Sequence, residues 1–221
     1  MTLIKVCGLT RAEDVRLAAE LGAWALGFVV TESPRRVAPA AAASLVAAAR
    51  DASGAGSPHI VAVVTTESPV WIAEALEEAG AGAVQLSAGA DGPTVAQVRE
   101  AAARLRRRPL VIAAADTPDA SLADFVLLDA RRSGAYGGTG EVLDWAALAA
   151  DPVTPAADLV LAGGLRPGNV AAAVAVLHPA VVDLSSGVES APGVKDHRRL
   201  RDFFAAVEQA DEGTARRRTT G

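Results

Sequence analysis

Eight short apolar runs punctuate the whole chain, and the segments between most of them are long enough to cross back over a sheet. The runs are Leu3 to Val6, Ala25 to Val30, Ile60 to Val64, Ala83 to Leu86, Leu110 to Ala113, Phe125 to Leu128, Leu159 to Ala162 and Val181 to Leu184. They are continuous rather than alternating, as strands are when helices cover a parallel sheet. The Ala- and Leu-rich segments between them carry helical spacing. Ile72, Ala75, Leu76 and Ala79 fall at i, i+3, i+4 and i+7, and Leu200, Phe203, Phe204 and Val207 repeat the pattern, so each builds one apolar stripe. Thr10 stands in capping-box register with Glu13, Pro167 occupies an expected first helical position, and Gly22, Gly54 and Gly80 follow expected helices. Between Ala115 and Asp124 there is room for only a turn or two, so the fifth crossover is expected to be abbreviated. Eight strands alternating with helices predict an α/β fold, a closed (β/α)8 TIM barrel, as one catalytic domain over 1–210, with 211–221 a flexible tail. The rival is an open doubly wound sheet. Its dinucleotide form needs a glycine fingerprint after an early strand, which Cys7-Gly8-Leu9-Thr10 does not supply.

Charge and composition exclude several functions. A formal net charge of −5 disfavours a broad nucleic-acid footprint. The basic runs Arg104 to Arg108 and Arg216 to Arg218 have no aromatic residues between the arginines, and read as a solvated helix end and a terminal tail. The single cysteine, Cys7, forbids an intrachain disulfide and any multi-cysteine metal site. No stretch of about 18 apolar residues points to a membrane helix, and the N-terminal residues show no apolar stretch followed by a cleavage site. The expectation is a cytoplasmic monomer or homodimer.

In a barrel, residues at the C-terminal ends of the strands converge on one mouth. That rule selects Cys7, the loop Thr31 to Val37, Gln85 to Ser87, Asp129, Gly163-Gly164 and Asp183 to Gly187. The last two loops are the most specific. Leu161 to Pro167 runs from a strand through two glycines into a helix, and Asp183-Leu184-Ser185-Ser186-Gly187 ends the next strand. Glycines let backbone N–H groups approach an anion, and loops after strands seven and eight are where phosphate binds in many barrels. The plain alternative is two tight turns in a glycine-rich chain. Cys7 reads either as a small buried hydrophobe or, with positive charge nearby to lower its pKa, as a thiolate base. Lys5, two positions earlier, shares its face. Asp129 either accepts loop N–H bonds or, held protonated by partial burial, acts as a general acid. Of Arg35 and Arg36, one is free to point to solvent and the other to clamp a carboxylate. The loop 130–141 carries Gly134, Gly137, Gly138 and Gly140 and reads as a lid or as ordinary surface.

At these residues the chain resembles the phosphoribosylanthranilate isomerase family. The matching stretches are Lys5-Val6-Cys7-Gly8-Leu9-Thr10, Gly27-Phe28, Ser33-Pro34-Arg35, Leu128-Asp129-Ala130, Gly137-Gly138-Thr139-Gly140, Leu161 to Leu165, Asp183 to Glu189, and Pro192-Gly193-Val194-Lys195-Asp196. The resemblance implies an Amadori rearrangement of a phosphorylated ribosyl-anthranilate, with no cofactor and no metal. Carried over residue by residue, Asp129 would protonate the furanose oxygen, Cys7 would take the proton from C2, and Arg36 would hold the anthranilate carboxylate. The implied substrate-binding set is Lys5, Arg36, Gln85, Gly163, Gly164, Asp183, Ser185, Ser186 and Gly187, with Asp183 near the sugar hydroxyls. Two positions depart from the pattern: Ser87 stands where the family has a histidine, and the Thr65-Thr66 region where it has an asparagine. The alternatives are a bifunctional phosphoribosyl sugar isomerase, which would be expected to show paired aspartates at strands one and six, and a non-catalytic phosphate-ligand-binding barrel.

Overall fold

The computed structural model describes residues 1–52, 57–129, 149 and 158–219. Eight parallel strands close on themselves in chain order: β1 (Leu3–Cys7), β2 (Ala25–Val29), β3 (His59–Val64), β4 (Ala83–Leu86), β5 (Leu110–Ala114), β6 (Phe125–Asp129), β7 (Leu159–Ala162) and β8 (Val181–Leu184). β8 returns to β1 with Lys5 opposite Asp183, which completes a (β/α)8 barrel. Each expected strand is present. Around the barrel lie α1 (Ala12–Glu20), α2 (Pro39–Ala52), α3 (Pro69–Ala79), α4 (Val95–Ala101), α5 (Val170–Leu177) and α6 (His197–Thr219). The crossover from β5 to β6 is a single 3-10 turn, Ala120–Leu122, as its length requires.

The strands' two-residue period divides the core. Outward residues such as Val6, Leu26, Phe28, Val64, Val111 and Leu161 pack under the helices. Inward residues Ala25, Val61, Ala83, Ile112, Leu127, Val160 and Val181 fill the interior. Several of these are small, and the long side chain of Lys5 occupies the space they leave, fully buried. Trp24, whose ring centroid lies 5.0 Å from that of His59 and 5.3 Å from that of Phe125, packs at the N-terminal ends of the strands.

The two apolar stripes meet the core as expected: Ile72, Ala75, Leu76, Ala79, Leu200, Phe203 and Val207 are buried and Phe204 is half-buried. Local signals fared unevenly. Gly22 and Gly80 have φ of 83° and 64° at helix ends, while Gly54 lies outside the described residues, as does the loop 130–141. Thr10 does not cap α1. Its hydroxyl donates to the Gly193 carbonyl at 2.6 Å, and Arg11 occupies the cap position without a side-chain bond. Pro167 sits in a turn ahead of α5, which begins at Val170 after Asn169. Residues 211–219 are the last turns of α6 rather than a separate tail. Asp211 accepts bonds from the Thr2 amide at 2.5 Å and the Thr2 hydroxyl at 2.9 Å, fastening that helix to the chain's first residues.

Candidate active site

The C-terminal ends of the strands surround a cavity of about 410 Å3. Inward parity on each strand decides what enters it. Cys7 ends β1, Gln85 lies on β4, Asp129 ends β6, Ala162 ends β7 and Asp183 lies on β8, and all line the cavity. The following loops add Ser87, Asp116, Gly163, Gly164, Ser185, Ser186 and Gly187. Nine of the eleven site residues expected from sequence therefore converge here; Lys5 and Arg36 lie elsewhere.

Lys5 lies beneath the cavity. Its ammonium donates to Asp183 Oδ2 at 2.6 Å, and both side chains are buried. Burial alone would lower the lysine's pKa, but the Asp183 carboxylate and the neighbouring Cys7 hold it above the ordinary value. Lys5 thus fixes the floor of the cavity by orienting Asp183. The other Asp183 oxygen, Oδ1, is buried without a partner among the described residues, and so is Gln85 Oε1. The Gln85 amide donates to Ser87 Oγ at 3.0 Å, so the serine at the divergent position orients this glutamine. The cavity therefore holds two buried acceptors still lacking donors, the condition a hydroxyl-rich ligand relieves. At the other divergent position, Thr65 bonds Thr31 at 2.8 Å while Glu67 accepts from the Thr31 hydroxyl and the Thr65 amide. That closed cluster stands apart from the cavity lining.

The loops after β7 and β8 form one wall. Gly163 and Gly164 adopt φ of 92° and 69°, a conformation that side-chain-bearing residues resist. Asn169 braces this turn: its Oδ1 accepts from the Arg166 amide at 2.8 Å and its Nδ2 donates to the Gly164 carbonyl at 3.1 Å. Gly187 presses so close to it that a Cβ would overlap the Leu165 carbonyl oxygen and stand 2.9 Å from the Leu165 carbonyl carbon. Two backbone turns thus meet with no side chain between them.

Arg35 lines the cavity, and its guanidinium is gripped by both Glu189 oxygens at 2.6 to 3.1 Å. Arg36 is exposed and lies outside the lining, and among the described residues its guanidinium pairs with Glu32 at 3.6 Å. Glu189 also accepts from buried Lys195 at 2.9 Å. Burial would raise the Glu189 carboxyl, but Arg35 and Lys195 hold it below the usual carboxylate range. Sequence reading had not singled out Glu189 or Lys195 as site residues. Nothing local marks them, because they join the site only when the hairpin of β9 (Glu189–Ala191) and β10 (Val194–Lys195) packs against the end of β1 and the loop after β8.

The lowered pKa that the thiolate reading of Cys7 calls for is not found. Burial pushes the Cys7 thiol above its ordinary pKa, although Lys5 and Lys195 both pull the other way. A thiol that is hard to ionise is correspondingly a stronger base once ionised. Among the described residues no group of three His, Cys, Asp or Glu could hold a metal, and no helix is long and apolar enough to cross a membrane.

Residues 4–206 match the family model described as N-(5'phosphoribosyl)anthranilate (PRA) isomerase. The chain belongs to the phosphoribosylanthranilate isomerase family. It is 40% identical over 216 residues to the N-(5'-phosphoribosyl)anthranilate isomerase of Dechloromonas aromatica (strain RCB), covering 96% of this chain and 98% of that protein. The crystal structure of phosphoribosyl anthranilate isomerase from Thermotoga maritima is similar with a TM-score of 0.75 and 32% identity, over 95% of this chain and 100% of that one. A crystal structure of phosphoribosyl anthranilate isomerase in complex with reduced 1-(o-carboxyphenylamino)-1-deoxyribulose 5-phosphate is similar with a TM-score of 0.73 and 30% identity, over 95% of this chain and 100% of that one.

Proposed function

We propose that this protein converts N-(5-phospho-β-D-ribosyl)anthranilate to 1-(2-carboxyphenylamino)-1-deoxy-D-ribulose 5-phosphate by an Amadori rearrangement. The observation that carries this reading is the convergence of Cys7 and Asp129, from strands one and six, on a single cavity walled by the two glycine turns. Binding alone needs neither a thiol nor a second carboxyl there, whereas moving a proton across a sugar needs both a donor and an acceptor. The family match and the relative crystallised with a reduced form of this product support the same substrate class.

In this mechanism the phosphate sits against the backbone of Gly163-Gly164 and Ser186-Gly187, which anchors one end of the sugar. Asp129, as the general acid, gives a proton to the ring oxygen as the C1–O bond breaks, leaving an open-chain iminium. The Cys7 thiolate takes the C2 proton, and the electrons of that C–H bond neutralise the iminium to give an enolamine. Tautomerisation to the ketone completes the isomerisation, and solvent returns the proton from Cys7 to Asp129. Gln85 Oε1 and Asp183 Oδ1 accept bonds from the sugar hydroxyls, filling their open positions. Arg36 reads the anthranilate carboxylate. The Arg35 fork is already spent on Glu189, whereas Arg36, exposed and 3.6 Å from Glu32, would have to turn inward to take this role.

The test is to follow the fluorescence of freshly prepared phosphoribosylanthranilate with purified protein. Catalysed loss of the signal with formation of the ketose is expected for the wild type. Either no turnover by folded protein or wild-type rates in Cys7→Ala and Asp129→Asn would overturn the assignment.

A further inference from the structure

Lys195 lies on no barrel strand, yet three parts of the site meet at its ammonium. It donates to the carbonyl oxygen of Cys7 at 2.7 Å, to that of Ser185 at 3.3 Å and to the Glu189 carboxylate at 2.9 Å. Its side chain is fully buried. A neutral donor would satisfy two carbonyls, and burying an ammonium carries a large desolvation penalty. The charge therefore calls for an explanation beyond tethering.

The charges around Cys7 supply one. From β1 and β8 come Lys5 and Asp183, an ion pair in which Lys5 favours the thiolate by its charge and a side-chain hydrogen bond while Asp183 opposes it. From the hairpin and the loop after β2 come Lys195 and Arg35, two cations sharing the single carboxylate of Glu189. That side has a surplus positive charge. Asp14, paired with His197 at 2.8 Å, accepts from the Lys195 amide rather than from its ammonium. Asp129 lines the same cavity and interacts with Asp183.

We propose that Lys195 is a positioning residue for the isomerisation, holding the end of β1 against the loop after β8 and supplying the fixed positive charge that favours the Cys7 thiolate. This rests on the reading of Cys7 as the base. Burial leaves the Lys195 pKa below its ordinary value, although Glu189 and Cys7 oppose that pull.

Cys7 is the sole cysteine, so its alkylation by iodoacetamide reports thiolate formation directly, without substrate. Lys195→Gln keeps the donors and removes the charge, Lys195→Met removes both, and Lys195→Arg keeps both. The alkylation midpoint should rise by about one pH unit in the Gln and Met variants and stay near wild type in the Arg variant. Their kcat at neutral pH should fall at least tenfold, with the loss shrinking as pH rises and KM changing little in Lys195→Gln. An alkylation profile in Lys195→Gln that superimposes on wild type, or a kcat loss equal at every pH, would show a structural tether only and overturn the proposal. Full turnover in Cys7→Ala would instead remove the base reading, and would leave the alkylation result to stand separately.

Discussion

Adding one methyl group at Gly187 should damage the site more than its size suggests. The new Cβ would overlap the Leu165 carbonyl oxygen, and would lie 2.9 Å from the Leu165 carbonyl carbon and 3.3 Å from Arg166 Cα. All three atoms are backbone, so no side-chain rotation relieves the clash, and the turns after β7 and β8 must part by about 1 Å. Overpacking of this kind costs about 1–3 kcal/mol, which at roughly 2–4 °C per kcal/mol for a chain of this size gives a measurable fall in Tm. The effect on function should be larger, since misplacing a positioning group by about 1 Å can cost on the order of 10²-fold. Gly168→Ala is the matched control: it lies in the segment after the same turn, and nothing stands within 4 Å of its Cβ. Thermal unfolding and calorimetric titration with inorganic phosphate and with a product analogue should show both losses in Gly187→Ala and neither in Gly168→Ala. Wild-type Tm and phosphate affinity in Gly187→Ala would refute the claim that these turns touch and together hold the phosphate.

Lys5→Met leaves the buried Asp183 carboxylate without its 2.6 Å partner, and should destabilise the protein by about 3–5 kcal/mol in urea titrations. A loss below about 1 kcal/mol, as for a surface pair, would contradict the pairing. Arg36→Lys should weaken substrate more than a decarboxylated analogue, because the two-pronged geometry goes while the charge stays; equal losses would assign Arg36 another task. Glu189 has its folded pKa held below the usual carboxylate range, so its contribution is present above the unfolded value and disappears as pH falls through the folded one. Urea midpoints measured from neutral to acid pH should fall less steeply in Glu189→Gln than in wild type, and parallel curves would rule this contribution out.

The barrel was legible because its determinants are local. Runs such as Phe125 to Leu128 are apolar at every position, and the period of two then fixes which residues face inward. Cys7, Gln85, Asp129 and Asp183 followed from that parity and from the convergence of strand ends. What sequence reading missed depends on distant pairings. The role of Lys5 was hidden because its partner lies across the β1–β8 closure, which a one-dimensional pattern does not reveal. Thr10 has the residue types of a capping box, but its hydroxyl is taken by Gly193, 183 residues away. Asp211 reads as the start of a polar tail until Thr2 is seen beside it. The direction of the Cys7 pKa turned on a balance. The neighbouring cations were foreseeable in part, but the depth of burial that outweighs them emerges only from the packed barrel.

The account stands most directly on the proton at C2. Single-turnover reactions with C2-deuterated phosphoribosylanthranilate should show a primary isotope effect in the wild type. In Cys7→Ala the isomerisation should slow by roughly 10²–10⁴-fold, the scale of a lost general base, while a product analogue still binds with near wild-type affinity. If Cys7→Ala abstracts the C2 proton at close to the wild-type rate, Cys7 is a buried structural thiol and the acid–base assignment is wrong.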